Sequence, residues 1–318
     1  MTSKRNLIIF LTVLPLLTTS CGKQKEPAKW VKYENNPILG AGDLGAIFDL
    51  SLLKDSGVYK MYCSWRSRGS LALSVSADGK HWSVPQVILS PDGGTYWEKD
   101  VNRPGIIKKD GVYHLWYTGQ TRDSSLIGYA TGTDGVHFTR QSAEPVLQPE
   151  LPWEKVAVMC PHVNWDEEEG VFKMWYSGGE QYEPNAIGYA TSKDGLHWEK
   201  HAGNPVFVAD SAGKWEQHKV TGAQIIKREN DYLMFYIGFH DEDFAQIGMA
   251  KSPDGVGNWT RYKGNPIIFP EPGAWDANAC YKPFAIREKD RWLLWYNGRN
   301  GALEQIGLAV FNDKDLGF

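Results

Sequence analysis

The chain has 318 residues, of which 42% are hydrophobic, 23% charged and 13% aromatic, and this composition excludes wholesale disorder, collagen and coiled coil. The 34 Lys and Arg residues against 38 Asp and Glu residues leave a net charge of −4, so no basic excess exists to neutralise the phosphates of a nucleic acid. The 33 Gly, 14 Trp and 15 Tyr residues predict short strands, tight turns and a surface that stacks flat ligand faces.

The N-terminus has the pattern of a targeting signal. A basic pair precedes an apolar run over residues 7–17, which is long enough for a signal sequence and too short to span a bilayer. The stretch LLTTSCG resembles a bacterial lipoprotein signal, which implies cleavage before Cys21 and lipidation of its thiol. We therefore expect a signal peptide at residues 1–20, a tether at residues 21–29, and an exported protein anchored to a membrane in the periplasm or at the outer-membrane surface. An ordinary secretory signal with a chance cysteine is the alternative.

The other cysteines indicate no site. Cys63, Cys160 and Cys280 are odd in number, far apart and in no C-x-x-C pair, so neither a zinc site nor a disulfide framework is indicated. We expect three buried free thiols.

One unit of sequence recurs five times. Each copy has a β-rich strand ending near a Tyr or Trp, a polar loop and a second strand; in four copies an Asp-Gly turn follows. The first strands are residues 58–65, 112–119, 171–178, 231–238 and 291–298. A period of roughly 60 residues suits a four-stranded propeller blade with elaborated loops and is too long for a solenoid coil.

The fifth copy lacks its last piece, and that piece stands at the other end of the chain. Residues 30–39 (WVKYENNPIL) match residues 259–268 (WTRYKGNPII). The sequence therefore predicts an all-β, five-bladed β-propeller over residues 30–318, in which the N-terminal strand completes the last blade and closes the ring.

Propeller geometry selects the residues that can meet. The innermost strands and the loops between second and third strands share one face, whereas the Asp-Gly turns at Asp78, Asp134, Asp194 and Asp254 lie on the other and are expected to be structural. Candidates on the inner strands are Asp49, Asp100, Asn102, Arg103, His162, His218, Lys219, Tyr281 and Lys282. The facing loops add Arg66, Arg68, Arg122, Glu180, His240, Asp241, Glu242, Arg299 and Asn300. Aromatic, carboxylate and guanidinium groups in one pocket are typical of sugar binding.

Together, the five repeats, the S-x-D-G-x-H-W turns, the N-P-V-F strands and the lipoprotein-like signal resemble the five-bladed glycoside hydrolases of families 43, 32, 117 and 130. The resemblance implies an Asp base or nucleophile on the first inner strand, where this chain has Asp49. It also implies a second Asp where this chain has Gly105, and a Glu general acid where it has Met159. A thioether cannot donate a proton, so the usual acid is absent.

Hydrolysis of a glycoside normally requires two carboxyl groups, and substitutes for the missing acid stand on the expected face. Glu180 ranks first because its loop follows the third copy's first strand, and Asp241, Glu242, Asp100 and His162 are further candidates. Each has a plainer interpretation: Asp49 as a partner of Arg66, Glu180 as a solvated carboxylate, and His162 as a hydrogen-bonded core histidine.

Four functions remain open from the sequence. The leading hypothesis is a monomeric glycoside hydrolase acting on a plant, algal or microbial oligosaccharide or polysaccharide, with no cofactor or metal. The first alternative is a surface lipoprotein that binds glycans without cleaving them. The second is a glycoside phosphorylase of the family 130 type, for which Arg103, Lys219 and Lys282 would supply basic groups. Hydrolysis leads because no other signature of that family is recognised. A structural or partner-binding propeller is the remaining possibility.

Overall fold

The computed structural model describes residues 29–182 and 184–318. Short 3₁₀ turns at Gly42–Leu44, Arg66–Arg68 and Pro152–Glu154 are the helical elements of these residues, and strands dominate the rest, so the all-β prediction is confirmed. The strands are β1 (Trp30–Lys32), β2 (Ile47–Asp55), β3 (Val58–Trp65), β4 (Ser70–Ser76), β5 (Gln86–Leu89), β6 (Asp100–Lys109), β7 (Val112–Gln120), β8 (Ser125–Gly132), β9 (Thr139–Arg140), β10 (Ala157–Asp166), β11 (Val171–Gly179), β12 (Pro184–Ser192), β13 (Glu199–Lys200), β14 (Phe207–Val208), β15 (Lys219–Lys227), β16 (Tyr232–Phe239), β17 (Ala245–Ser252), β18 (Thr260–Arg261), β19 (Ala279–Arg287), β20 (Trp292–Asn300) and β21 (Leu303–Phe311). The predicted signal peptide, Cys21 and most of the tether lie outside the described residues.

The long strands form five antiparallel units of three. The units are β2–β3–β4, β6–β7–β8, β10–β11–β12, β15–β16–β17 and β19–β20–β21, numbered first to fifth. Short outer strands pair with the third strand of each unit, and in the fifth unit that outer strand is β1, where Trp30 is paired with Phe311. The matched sequences at residues 30–39 and 259–268 therefore occupy equivalent places.

Neighbouring units are joined by one repeated hydrogen bond. An aromatic side chain on the middle strand of one unit donates to the glycine carbonyl of the next unit's Asp-Gly turn. The pairs are Tyr62 with Gly135, Trp116 with Gly195, Trp175 with Gly255, and Trp295 with Gly79. The last of these connects the fifth unit to the first. A Cβ on Gly79 would stand 2.7 Å from the Trp295 ring, so glycine is required there by the close approach as well as by its positive φ.

The fourth unit departs from this pattern where the sequence departs from it. The fifth unit has no Asp-Gly turn, and the equivalent middle-strand residue of the fourth unit is Phe235, which has no donor. Phe235 instead packs edge-on against Trp30 of β1 at 6.0 Å. The N-terminal strand thus fills the space that the turn occupies elsewhere.

A buried acid recurs after a tryptophan at the entrance to units two to five. These repeat acids are Glu98, Glu154, Glu216 and Asp276. Glu98 accepts a hydrogen bond from the Tyr117 hydroxyl at 2.6 Å and pairs with Arg140 on the outer strand. In the fifth unit the cation comes from β1, because Lys32 Nζ lies 2.7 Å from Asp276 Oδ2. Buried carboxylates persist only with such partners, so each repeat acid ties the middle strand of its own unit to the outer strand of that unit.

The apolar core is divided among the junctions between units. Five buried clusters each join two consecutive units, and one of them packs Trp295 and Leu308 of the fifth unit against Leu52 and Met61 of the first. Cys63, Cys160 and Cys280 are free and buried. Within the described residues, no helix has the length and apolar character needed to cross a membrane.

Candidate functional site

Each innermost strand is interrupted by a bulge at the same place. The register shifts once in β2, β6, β10, β15 and β19, and one residue at each shift has a φ between 48° and 55°. These bulge residues are Asp49, Arg103, Cys160, Gly222 and Lys282. An L-residue in this region costs about 1–2 kcal/mol, and bulges commonly redirect a side chain next to a functional site.

Three of the bulge residues line one cavity with two chambers. The outer chamber, of about 390 Å³, is bordered by Arg66, Asp100, Asn102 and Gln120. The inner chamber, of about 140 Å³, is bordered by Cys160, Thr221, Ile237, Phe239 and Ala279. Both chambers share Asp49, Arg103, Tyr182, Tyr281, Arg299 and Glu304. The bulges therefore bring residues from distant parts of the chain to one place.

Asp49 is the most deeply placed acid of this cavity. Only 4% of the residue is exposed, and Arg103 Nε lies 3.4 Å from its Oδ2 atom. Burial raises the pKa of the Asp49 carboxyl, and the attraction of Arg103 and Lys282 does not offset it. Its Oδ2 atom has no hydrogen-bond partner among the described residues. A carboxyl with a raised pKa holds its proton to higher pH, which suits a proton donor better than the base that the sequence predicts.

A second carboxyl, Glu304, shares the cavity and was missed from the sequence. It accepts hydrogen bonds from the Arg66 guanidinium and the Tyr281 hydroxyl, and its negative charge contributes to the raised pKa of Asp49. The repeat contained the signal that could have found it. Glu304 stands two residues before the Ile of the third strand, where the other copies have Gly69, Ser125, Asn185 and Ala245.

The inner chamber holds buried polar atoms without partners. The hydroxyl of Thr221 and the Nε atom of Arg299 are buried and, among the described residues, have no hydrogen-bond partner. Together with Asp49 Oδ2 they line the chamber whose remaining wall includes Ile237 and Phe239. Buried polar groups normally find a partner, so this chamber offers donors and an acceptor beside an apolar face, the combination that a sugar ring requires.

Six predicted binding residues lie at the cavity: Arg66, Asp100, Asn102, Arg103, Tyr281 and Arg299. Arg103 donates to Asn102 Oδ1 at 2.8 Å, and Asn102 donates to Gln120 Oε1 at 2.9 Å. Arg66 stacks over the Phe48 ring at 4.4 Å. The wall of the outer chamber is thus held in place by a polar network.

Glu180 and Asp241, which the sequence analysis offered as the general acid, lie outside the cavity that Asp49 lines. The Glu180 side chain is 61% exposed and pairs with Lys155 at 2.7 Å, which lowers the pKa of its carboxyl. Hydrogen bonds from His240 and two backbone amides lower the pKa of Asp241 to about 2. Both carboxyl groups face solvent outside the two chambers and are ionised at neutral pH.

The other predicted binding residues also lie outside the cavity lining. His162 bonds the Ile225 carbonyl at 2.9 Å, and burial lowers its pKa to about 4, as expected of a core histidine. His218 and His240 border an exposed groove with Asp241. The three remaining residues are Arg68, which is exposed over the Trp65 ring, Lys219, whose ammonium lies 4.6 Å from the Phe239 ring centre, and Lys282, which is buried and acts on Asp49 through its charge.

The surroundings of Gly105 and Met159 show why neither position supplies to the cavity the carboxyl group that the family resemblance implies. A Cβ on Gly105 would stand 2.3 Å from the Pro161 carbonyl oxygen, so no side chain fits there. Met159 is fully buried, and the neighbouring Cys160 faces the cavity in its place. The second carboxyl comes instead from the start of β21. Within the described residues, no group of three or more His, Cys, Asp or Glu residues is arranged to hold a metal ion.

Comparison with solved structures identifies the fold as that of propeller glycoside hydrolases. A thermostable family-43 glycoside hydrolase superposes with a TM-score of 0.69 at 19% identity, covering 88% of this chain and 94% of that one. A second solved structure comes from work on the GH130 family of mannoside phosphorylases, described as containing glycoside hydrolases that target beta-1,2 mannosidic linkages in Candida mannan. It superposes with a TM-score of 0.69 at 17% identity, covering 95% of this chain and 97% of that one.

The chain belongs to glycoside hydrolase family 130. The family model, described as beta-1,4-mannooligosaccharide phosphorylase, matches residues 122–315. A 1,2-beta-oligomannan phosphorylase of a Thermoanaerobacter strain is 28% identical, over 72% of this chain and 75% of the relative, and an uncharacterized protein of Mycobacterium tuberculosis is 25% identical over 81% and 90%. Among the families that the sequence resembles, family 130 is thus the one that applies, although its signatures were not recognised in the sequence.

Proposed function

We propose that this protein cleaves glycosidic bonds by hydrolysis, with Asp49 as the proton donor and Glu304 as the base that activates water. The observation that carries the proposal is the pairing of two unlike carboxyl groups in one cavity. Asp49 is buried with a raised pKa, whereas Glu304 accepts hydrogen bonds from the Arg66 guanidinium and the Tyr281 hydroxyl. Two carboxyl groups in different environments are what acid and base catalysis of glycoside hydrolysis requires.

In this reaction the proton of Asp49 passes to the glycosidic oxygen as the bond between that oxygen and the anomeric carbon breaks. Glu304 removes a proton from water as the water oxygen bonds to the anomeric carbon. Arg103, 3.4 Å from Asp49, stabilises the carboxylate that the first step leaves behind. Both residues then exchange protons with solvent and return to their starting states.

The architecture that we infer is a five-bladed propeller closed by the N-terminal strand. Its support is the sequence of contacts between units, above all the Trp295 bond to Gly79 and the Lys32 pair with Asp276. In such a ring the bulge residues surround the central cavity. Residues 1–29 would export the domain and anchor it through lipidated Cys21, as the sequence predicts.

A mannoside is the substrate class that we favour. The related enzymes of the Thermoanaerobacter strain are named 1,2-beta-oligomannan phosphorylase and beta-1,2-mannobiose phosphorylase, the second being 32% identical over 49% of this chain. The inner chamber would take the sugar ring, with Thr221 and Arg299 at its hydroxyl groups and Phe239 against its apolar face.

Phosphorolysis is the second candidate, and three guanidinium groups favour it. Arg66, Arg103 and Arg299 line the same cavity and could bind phosphate. Phosphate attacks the anomeric carbon as an anion and needs no base, so this route would use Asp49 and dispense with Glu304. In hydrolysis both carboxyl groups are needed, and this difference separates the two routes.

The test is product analysis with purified full-length protein. β-1,2- and β-1,4-mannobiose are incubated with and without inorganic phosphate, using wild type, Asp49→Asn and Glu304→Gln. Hydrolysis predicts free mannose without phosphate and loss of activity in both variants. Sugar phosphate formed only with phosphate, and retained by Glu304→Gln, would establish phosphorolysis. Binding of mannobiose without any product would instead support the glycan-binding alternative.

A further inference from the structure

The bulge residues make the same backbone contact with the unit before them. The amide of Arg103 donates to Ser64 Oγ at 3.0 Å, and that of Cys160 donates to Thr118 Oγ1 at 3.2 Å. The amide of Gly222 donates to Ser177 Oγ at 2.9 Å. Each acceptor occupies the same register on the middle strand, directly opposite the residue before the bulge of its own unit. A short hydroxyl side chain is therefore the usual support of a bulge in this fold.

Asp49 has a different support. Its amide donates to Asn297 Oδ1 of the fifth unit at 3.0 Å, and Asn297 Nδ2 lies 3.5 Å from the Ile47 carbonyl oxygen. Asn297 is fully buried and occupies the register of Ser64, Thr118 and Ser177, opposite Tyr281. One amide side chain thus contacts the backbone on both sides of Phe48, whereas the hydroxyl at Thr118 contacts one backbone group.

The contact bears on the direction of the Asp49 side chain. Asp49 has a φ of 52°, and a residue with a Cβ keeps such a conformation only where its surroundings hold it. The remaining bulge residue, Lys282, has a φ of 48° although Ile237, whose side chain offers no acceptor, stands at the equivalent position of the fourth unit. Lys282 is absent from the cavity lining, while Asp49 borders both chambers.

We propose that Asn297 is a positioning residue for Asp49, holding the bulge in the conformation that directs the carboxyl group into the cavity. This inference rests on the proposed function for its effect on turnover, but its effect on Asp49 itself does not depend on the reaction. Asn297 borders neither chamber and acts only through the backbone around Phe48.

The test compares two variants that each remove one bulge support. Asn297→Leu has nearly the same size and loses both contacts, and Thr118→Val loses the equivalent contact to the Cys160 amide. We expect Asn297→Leu to lower kcat roughly 10- to 100-fold with little change in KM, as for a displaced catalytic group. Thr118→Val should keep kcat within about twofold, and Asn297→Thr, which restores an acceptor, should recover part of the loss.

A second measurement does not require turnover. Carbon-13 labelling of aspartate carboxyl groups gives the pKa of Asp49 by NMR titration, with Asp49→Asn assigning the signal. In Asn297→Leu the relaxed carboxyl should reach solvent, so the pKa of Asp49 should fall toward the ordinary value of about 4, whereas Thr118→Val should leave it unchanged. An unchanged Asp49 titration in folded Asn297→Leu, or equal changes in both variants, would overturn the positioning role. A wild type that cleaves no glycoside would overturn the proposed function, and the titration would still decide this inference.

Discussion

Two sets of residues recur along the chain, the repeat acids in units two to five and the bulge residues in all five units, and the two sets differ in how much their side chains vary. The repeat acids Glu98, Glu154, Glu216 and Asp276 are nearly identical in type and have similar partners, a tyrosine hydroxyl and a cation. The bulge residues Asp49, Arg103, Cys160, Gly222 and Lys282 share a backbone conformation and have five different side chains. Both sets are buried for the most part, yet only the second contributes residues to the cavity lining, namely Asp49, Arg103 and Cys160.

This contrast separates structural from functional residues within one sequence. The contact that units two to five share is made by a carboxylate each time, and its paired buried charge contributes to the packing within each of these units. A position that faces a single shared cavity is free of that repetition, because each unit approaches the ligand from another side. Glu304, alone in bearing a charge at its place in the repeat, follows the same rule.

The largest effect should come from exchanging acid for amide in the two sets. Asp49→Asn should lower kcat roughly 10²–10⁴-fold, because the proton donor is lost, with little loss of stability. Glu154→Gln should keep turnover per folded molecule and lower the free energy of unfolding by about 3 kcal/mol, because the buried ammonium of Lys200 loses its buried counter-charge and keeps only the solvent-exposed carboxylate of Glu150. Steady-state kinetics and urea unfolding measure the two effects. A loss of stability in Asp49→Asn together with a loss of turnover in Glu154→Gln would contradict the division into functional and structural residues.

Glu304 and Glu180 provide the next comparison, between a carboxyl within the cavity and one outside it. Glu304→Gln should reduce hydrolysis on the order of 10²-fold, since water loses its base. Glu180→Gln removes a solvent-exposed pair with Lys155 and should change kcat less than about twofold. Rates of reducing-sugar release measure both effects. A large loss of kcat in Glu180→Gln would support Glu180 as the general acid, as the sequence analysis expected.

The repeat could be predicted from the sequence because tight turns and alternating strands are local patterns, and because the match between residues 30–39 and 259–268 can be read directly from the sequence. It located Asp49, Arg66, Asn102, Arg103, Tyr281 and Arg299, which line the cavity. It could not distinguish them from Glu180 or Asp241, since loop conformation and ion pairs decide which way those carboxyl groups face. The family resemblance places the general acid at the position of Met159, but the bulge turns the next residue, Cys160, to the cavity. A register shift of this kind cannot be predicted from the sequence.

The contribution of the N-terminal strand can be measured at Lys32. Lys32→Met leaves Asp276 buried without its cation and should lower the free energy of unfolding by about 1–3 kcal/mol, less than a fully buried pair because Lys32 is partly exposed. Lys263→Met, at an exposed lysine, is the control. Thermal unfolding of the two variants compares them, and equal stability would mean that β1 adds little to the fifth unit.

The smallest effect should come from the inner chamber. Thr221→Val keeps the shape of the side chain and removes the unpartnered hydroxyl, so KM should rise roughly tenfold, which corresponds to about 1.4 kcal/mol of lost hydrogen bonding. Thr221→Ser keeps the hydroxyl and should stay within about twofold to threefold of wild type. Equal KM values for Thr221→Val and wild type would place the sugar elsewhere.

The role of Asp49 as proton donor is tested most directly by leaving-group dependence. A strongly acidic phenol leaves an aryl glycoside as the phenolate without being protonated, whereas the sugar alcohol that leaves an oligosaccharide must receive a proton. Asp49→Asn should lose roughly 10³-fold in kcat/KM on mannobiose and less than about tenfold on dinitrophenyl mannoside. Equal losses on both substrates would contradict the account, because they would mean that Asp49 attacks the sugar or supports the fold and does not protonate the leaving oxygen.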